Sequence, residues 1–486
     1  MKKLLFLFFG GIYSISFAQV PPKPYGPVPS SRQLEWHKVE MYGLIHFTPT
    51  TFENKEWGYG DADPKIFNPS QFNAEQIIQA AKAGGLKGIV LVAKHHDGFA
   101  LWPTKTTDYN ISKSPWRNGQ GDMVKEFAEA ARNNGLKFGV YCSPWDRNNA
   151  AYGTPEYLEI YREQLRELYT QYGELFMSWH DGANGGDGYY GGAREKRSID
   201  NSVYYDWENT WKITRELQPS AAIFSDIGWD VRWVGNEKGI AGDPHWATFT
   251  PKPAEGAHVA VPGQSNYPES PVGHRDGEFW MPAECDVPLR KGWFYHPDEK
   301  AKSVDELFSL FLQSVGRGAA LDLGLAPDTR GLLDEGDVEV LRAFGKKMEE
   351  TFRINYLRAA NLRASNVRGY NTIYGTKNLL DGRDETYWAT DDDFPTPYLT
   401  MTFNQPITFD LFQMKEHIRL GQRIEEFVLE VDDNGQWKEI HKGTSVGARR
   451  IVKFDTPITA QKIRLRITKC PAAVVISEMG IYKEAN

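Results

Sequence analysis

Asp181 stands in the run Trp179-His180-Asp181-Gly182 and is followed by Ala183-Asn184-Gly185-Gly186. Small residues after a carboxylate leave room for a ligand against the loop. An aspartate placed this way can act as a nucleophile, or it can simply cap the next helix. The residues alone weigh the two roles equally. Two glutamates lie in aromatic surroundings. Glu237 closes Trp233-Val234-Gly235-Asn236-Glu237, and Glu284 sits in Trp280-Met281-Pro282-Ala283-Glu284-Cys285-Asp286. Aromatic neighbours withdraw water from a carboxyl group and raise its pKa, as a proton donor at neutral pH requires. The plain alternative for either is a solvated loop glutamate. One ionised and one protonated carboxyl group together suit glycosidic-bond hydrolysis. The acid protonates the departing oxygen, and in a retaining reaction the carboxylate attacks the anomeric carbon.

His95-His96-Asp97 raises the question of a metal. Neighbouring side chains on a strand point to opposite faces, so adjacent histidines do not readily share an ion unless a loop relaxes that alternation. No paired ligand spacing accompanies them. Hydrogen bonding to sugar hydroxyls needs no metal, and no catalytic cofactor is expected. The 15 Trp and 23 Tyr supply rings on which apolar sugar faces can stack, although a large domain buries most of its tryptophans for packing alone.

The elements that must position these groups follow from periodicity. Asn73 can cap a helix with Gln76 as its capping-box partner. That helix stops at Gly84-Gly85, and residues 86–92 read as a buried strand. The pattern repeats: Asp122 caps a helix reaching Asn134, Gly135 ends it, and residues 136–141 form the next strand. Repeated helix–glycine–strand units mean parallel strands with crossover helices. Chemically capable residues fall where the strands end: His46, then His95, His96 and Asp97, then Trp145 and Asp146, then Trp179 to Asp181, then Asp226. A (β/α) barrel and a doubly wound sheet both use that edge. No glycine-rich phosphate loop follows the first strand, so an α/β barrel of TIM type, open to irregularity, is expected over residues 19–352. After about Phe352 the period changes to two. Residues 427–431 face residues 437–440 across Asp433-Asn434-Gly435, a hairpin turn. Short strands with turn signals read as an antiparallel β-sandwich over residues 353–486.

The chain has 486 residues and a net charge of −8, without the basic footprint that nucleic-acid binding needs. Lys2 and Lys3, the apolar residues 4–15 and Ser16-Phe17-Ala18 read as an export signal over residues 1–18, cut before Gln19. The mature chain is therefore expected in the periplasm or outside the cell. The apolar stretch is short for a membrane span and no later segment is long enough. No cysteine follows the cut, so no lipid anchor is expected. Cys142, Cys285 and Cys470 read as free and buried, with a Cys142–Cys285 bridge left open.

Several runs resemble one known family in the right order. Gly43-Leu44-Ile45-His46-Phe47, Lys94-His95-His96-Asp97-Gly98-Phe99, Trp179-His180-Asp181-Gly182, Ser314-Val315-Gly316-Arg317-Gly318 and Pro327-Asp328-Thr329-Arg330-Gly331 resemble glycoside hydrolase family 29, the α-L-fucosidases. The resemblance spans roughly residues 42–331. It implies a retaining double displacement with Asp181 as nucleophile. It implies fucose contacts at His46, His95, His96, Trp57 and Tyr141, beside the aromatic candidates Trp179 and Trp233. His180 stands where many members carry Phe. Arg232-Trp233-Val234-Gly235-Asn236-Glu237 looks like the branch that takes α-1,3/1,4-linked fucose from branched, Lewis-type glycans, which puts the acid/base at Glu237 with Glu284 in reserve. The C-terminal part resembles discoidin-like, coagulation-factor-type sandwiches of jelly-roll form, through residues 378–388 and Ile476-Ser477-Glu478. These include carbohydrate-binding modules. Members often hold a structural calcium, and the oxygen ligands of Asp381, Asp384, Thr386 and Glu478 would suit one. Two other functions compete: a glycan-binding protein with an inactive barrel, and a hydrolase of a related sugar such as an α-galactoside.

Overall fold

The computed structural model describes residues 20–485. The expected export signal and its cleavage point lie outside them. Eight parallel strands close into a barrel: β1 Met41–Ile45, β2 Gly88–Lys94, β3 Lys137–Cys142, β4 Met177–Trp179, β5 Ala222–Ser225, β6 Val231–Trp233, β7 Ala283–Pro288 and β8 Ala320–Leu325. The ring closes where β8 pairs with β1, Leu321 opposite Met41 and Leu325 opposite Ile45. Tyr42, Leu44, Val90, Val92, Tyr141, Met177, Trp179, Phe224 and Val231 pack inside it.

The outer helices show why the sequence folds this way. α1 Ser31–His37 precedes the barrel, and α2 Ala74–Ala83 and α3 Met123–Asn133 cross over after β1 and β2. Asn73 Oδ1 accepts from the Gln76 amide at 3.1 Å, so the expected N-cap forms. The reciprocal half of the capping box does not. The Gln76 side chain instead donates to the Leu333 carbonyl at 3.0 Å and accepts from the Leu333 amide at 3.1 Å. A tertiary contact offers that amide two partners where the box offers one. Asp122 caps α3 through the Lys125 amide at 2.9 Å. Gly85 and Gly135, with φ of 82° and 72°, end the two helices at matching places, in a conformation that costs only glycine nothing.

α4 Pro155–Gln171, α5 Trp207–Leu217, α6 Val304–Gln313 and α7 Glu335–Phe352 complete the outer layer. The barrel is irregular on one side. β5 joins β6 through residues 226–230 alone, and residues 234–282 run from β6 to β7 as a long helix-free excursion. Within it Thr248–Phe249 pairs with Phe279–Trp280.

The C-terminal part is an antiparallel sandwich: β9 Asn361–Ala364, β10 Trp388–Ala389, β11 Tyr398–Glu416, β12 Glu426–Asp433, β13 Gln436–Gly443, β14 Arg450–Lys469 and β15 Val475–Tyr482. The hairpin between β12 and β13 turns at Asn434 and Gly435, φ 55° and 87°, as expected. The strands are not all short. β11 and β14 run for 19 and 20 residues. Register shifts break their pairing between Thr402 and Ile407 and between Phe409 and Leu411. A bulge bends a strand and breaks its alternation, so each long strand reads as two short ones. Trp388, Leu399, Phe412, Phe427, Leu465 and Ile476 form the sandwich core. Leu411, Ile451 and Tyr482 face the other way and join the core of the barrel. Cys142 and Cys285 are buried and free, and Cys470 is free and half-buried.

Candidate active site

The C-terminal ends of the barrel strands gather most of the expected residues. Asp181 lies two residues beyond β4. Its Oδ1 accepts from the Ala183 amide at 2.7 Å, and its Oδ2 accepts from the Tyr141 hydroxyl at 2.9 Å. One hydrogen bond fixes the loop and the other aims the carboxylate into the barrel mouth. Gly182 is needed for close approach: a Cβ there would lie 2.7 Å from Cγ of Asp226. Asp226, just beyond β5, accepts from the Gly263 amide at 2.6 Å and from the Tyr267 hydroxyl. Burial pushes its carboxyl up to about 6, with the Asp181 charge adding to the rise.

His46, His95 and His96 line the same mouth. The two adjacent histidines sit just past the end of β2, after a register irregularity between Val92 and Lys94. Strand alternation therefore no longer separates them, and their rings are 4.1 Å apart. The opposite-face argument made from the sequence fails here because the chain has left the strand. His46 packs edge-on to His95 at 5.3 Å. Burial drives the pKa of His46 down to about 3 and that of His95 well below its ordinary value, so both rings are neutral. His96 is the most informative. Ser143 donates its hydroxyl to the Trp145 carbonyl at 2.7 Å, so the 2.8 Å contact between Ser143 Oγ and His96 Nδ1 has the imidazole as donor. In the neutral ring Nε2 is then an acceptor, and it faces Asp181 Oδ2 at 3.7 Å. A sugar hydroxyl between them would supply the missing proton.

Trp57 stands 52% exposed at the rim, its ring 5.2 Å from His96 and 5.5 Å from Trp145. Trp179 is nearly buried, stacked on Phe224 at 4.1 Å and lying 4.9 Å from Tyr141. Trp233 is half-buried, and its indole donates to Asp286 at 2.6 Å.

The two candidate glutamates are placed very differently. Glu284 is fully enclosed in the barrel interior, where it accepts from the Trp179 indole at 2.9 Å and from the Tyr42 hydroxyl. With Asp286 and Asp322 it forms a buried acidic cluster. Burial raises all three carboxyl groups and their mutual repulsion reinforces the rise in Asp286 and Asp322. Glu237 is exposed as a residue at the barrel mouth, with its carboxyl partly withdrawn from water beside Trp293. That withdrawal raises its pKa. A hydrogen bond from Trp293 opposes the rise, and the charges of Asp181 and Glu56 add to it.

The structure adds residues that sequence reasoning missed. Glu56 accepts from the Trp293 amide at 2.9 Å and the Phe294 amide at 3.2 Å, holding Trp293 5.3 Å from His46. The aromatic run Trp293-Phe294-Tyr295-His296 was the available signal. Asp97 has a structural role, accepting from Thr48 at 2.7 Å and Thr50 at 3.0 Å. His180 points away from the mouth, between Tyr161 at 2.8 Å and Ser178 at 3.0 Å. Its difference from Phe therefore leaves the site's surface unchanged.

Among the described residues, no group of three or more His, Cys, Asp or Glu side chains converges as for a metal ion. In the sandwich, Asp381 accepts from Thr386 at 2.7 Å and from the Arg383 amide at 3.0 Å. Glu478 keeps a buried Oε1 without a partner. Burial pushes Glu478 up to about 6; a Gly382 hydrogen bond and Lys415 oppose this, and Asp381 and Asp384 add to it.

Comparison with known proteins gives the family and the fold. The family model for alpha-L-fucosidase matches residues 7–351, and that for the F5/8 type C domain matches residues 361–479. Alpha-L-fucosidase 1 of Arabidopsis thaliana is 38% identical over 491 residues, covering 99% of this chain and 94% of the plant protein. A glycoside hydrolase 29 family member from an unknown rumen bacterium superposes with a TM-score of 0.83 at 38% identity, over 96% of this chain and 78% of that one. A Ruminococcus gnavus family 29 fucosidase in complex with fucose gives 0.84 at 30% identity, over 96% of both chains.

Proposed function

The chain belongs to the alpha-L-fucosidases of glycoside hydrolase family 29, and we propose that it works as an exo-acting, retaining enzyme on terminal α-1,3/1,4-linked fucose of branched, Lewis-type glycans. Asp181 attacks the anomeric carbon while the bond to the leaving oxygen breaks and Glu237 gives that oxygen its proton. Water then attacks the glycosyl ester, Glu237 takes the water's proton, and the Asp181 carboxylate is released with fucose. The neutral histidines His46 and His95, together with Trp57, Tyr141, Trp179 and Trp233, hold the sugar. His96 accepts from a hydroxyl beside the reacting carbon.

The observation that carries this reading is the place of Glu237 at the open barrel mouth, where withdrawal from water raises its pKa and the nearby carboxylates add to the rise. Glu237 is raised partly by the charge of Asp181. It is therefore an acid while Asp181 is ionised and becomes a better base once Asp181 is esterified. Glu284, sealed beneath Trp179, has no path to a leaving group. The test is Glu237→Ala on two substrates. Cleavage of a fucosylated oligosaccharide should collapse, whereas an activated aryl fucoside should still release its phenol, and added azide should restore turnover. Equal losses on both substrates would remove Glu237 from the role. NMR of the first-formed product should show α-L-fucose; first-formed β-L-fucose would exclude the double displacement.

Two further expectations belong here. Export is checked by the N-terminus of the mature protein, expected at Gln19. Calcium at the sandwich is supported by the bare Oε1 of Glu478 beside Asp381 and Asp384. A chelator should then lower the melting temperature, and an unchanged curve would refute it.

A further inference from the structure

The segment that carries Glu237 is anchored at its far end to the other domain. Residues 234–247 leave β6 and cross toward the sandwich. On the barrel side the stretch after Glu237 is held by the Gly239 amide donating to the Asp286 carbonyl at 3.2 Å, the Ala241 amide donating to the Gln313 carbonyl at 3.0 Å, and Arg317, whose guanidinium donates to the Ala241 carbonyl. From Asp243 onward sandwich side chains join the barrel-side partners, which include the Pro271 and Val272 carbonyls. Arg450 makes a two-pronged pair with Asp243, at 3.0 and 2.7 Å, and Thr444 donates to the same carboxylate. Ser445 Oγ accepts from the His245 amide and donates to its carbonyl, both at 2.8 Å. Gln422 spans the next turn, donating to the His245 carbonyl at 2.9 Å and accepting from the Ala247 amide at 2.8 Å.

Apart from the half-exposed Asp243, the clamp is buried and mutually braced. Gln422, Ser445, Arg450 and His245 are each 5% exposed or less. Glu416 ties their two loops together. Its Oε1 accepts from the Arg423 and Ile424 amides at 2.9 and 3.0 Å, and its Oε2 accepts from the Gly447 amide at 2.7 Å. On the other side the clamp meets the site. Arg232, the residue before Trp233, donates to the Trp246 carbonyl at 3.0 Å and to the Ser270 carbonyl at 3.1 Å. Bidentate and charge-assisted contacts fix direction as well as distance. Only five residues separate Glu237 from Asp243, so the play left to Glu237 depends on how firmly that end is held.

We propose that Gln422, Ser445 and Arg450 of the sandwich are positioning residues for Glu237, so that the C-terminal domain sets the geometry of proton transfer in the barrel. The proposal rests on Glu237 being the acid/base. Deleting the sandwich is a poor test, because Leu411, Ile451 and Tyr482 belong to the barrel's core. Point variants of the full-length chain serve instead. Gln422→Ala, Ser445→Ala and Arg450→Ala are assayed on a fucosylated oligosaccharide and on an activated aryl fucoside, below the melting temperature of each variant. A displacement near 1 Å of a catalytic group costs up to about 100-fold in rate. The oligosaccharide kcat should therefore fall by about ten- to a hundredfold, whereas kcat/KM for the aryl fucoside, which reads only the first step, should stay near wild type. The alkaline limb of the oligosaccharide profile should shift to lower pH as Glu237 gains water. Arg450→Lys, which keeps one charged contact to Asp243, should recover part of the loss.

Glu237→Gln, run in parallel, separates the two ideas. If it cleaves the oligosaccharide normally, the acid/base reading fails. If it shows the leaving-group pattern and the sandwich variants do not, the positioning role fails. Equal losses on both substrates, or a lower melting temperature with unchanged rates, also overturn it.

Discussion

Replacing Gly182 by alanine should disarm the site without touching a carboxylate. A methyl group at 182 would stand 2.7 Å from Cγ of Asp226 and 3.1 Å from the Gly263 amide nitrogen. Carbon atoms rest at about 3.5–4.0 Å, so one side must retreat by about 1 Å. Asp226 is held by the Gly263 amide, the Ile227 amide and the Tyr267 hydroxyl. The Asp181 turn is held by the Ala183 amide and Tyr141. The added methyl belongs to the turn, so the collision pushes on the turn directly and should carry Asp181 away from the anomeric carbon. The cost to stability is that of overpacking, about 1–3 kcal/mol, whereas an ångström of misplacement costs about 100-fold in rate. The assay is kcat/KM on an activated aryl fucoside, which bypasses proton donation, alongside a thermal melt. Asp226→Ala introduced into Gly182→Ala removes the collision and should recover at least about tenfold of that loss. A single variant within about threefold of wild type, or a double variant no faster than the single, would refute the reasoning.

Asp181→Ala should lose several orders of magnitude in turnover of the aryl fucoside with an unchanged melting curve; near-normal initial rates would remove the nucleophile assignment. Trp57→Ala should raise KM by a few-fold, since an aromatic face contributes about 0.5–1.5 kcal/mol, and an unchanged KM would count against the stacking role. Glu284 holds its proton more tightly in the folded barrel than in the unfolded chain, because burial outweighs its hydrogen bonds from Tyr42 and Trp179. Its contribution is fully present below the ordinary glutamate value of about 4.3 and is lost as pH rises through the higher folded value. Wild-type melting temperature should therefore decline across that interval, and Glu284→Gln should flatten the decline; an unaltered slope would place the proton elsewhere.

The barrel was legible because its signals are local. Asn73, Asp122, Gly85 and Gly135 punctuate helices and strands wherever the chain later goes. The site was legible through residue type at strand ends. What stayed hidden depends on the third dimension. Glu237 and Glu284 share aromatic neighbours in the sequence, yet β7 turns one into the barrel interior while the β6 loop leaves the other open. The alternation argument separated His95 from His96 only as long as the strand was assumed to continue. Glu56 and Ser143 act by holding other side chains, and nothing in their own neighbourhoods announces it. The lengths of β11 and β14 were masked by bulges, which erase the very period used to find strands.

Tyr482 packs 5.0 Å from Phe352 at the end of α7, and with Leu411 and Ile451 it completes the barrel's flank. Chains are made from the N-terminus, and domains tend to fold as they emerge. Here the barrel emerges with part of its wall still unsynthesised. Every strand of the ring has left the ribosome before the residues that seal its side and hold the Glu237 arm. A prematurely terminated or C-terminally clipped chain would carry Asp181 and Glu237 and still lack the sandwich side chains that hold the Glu237 arm. Completion of the polypeptide is thus what closes the barrel's flank.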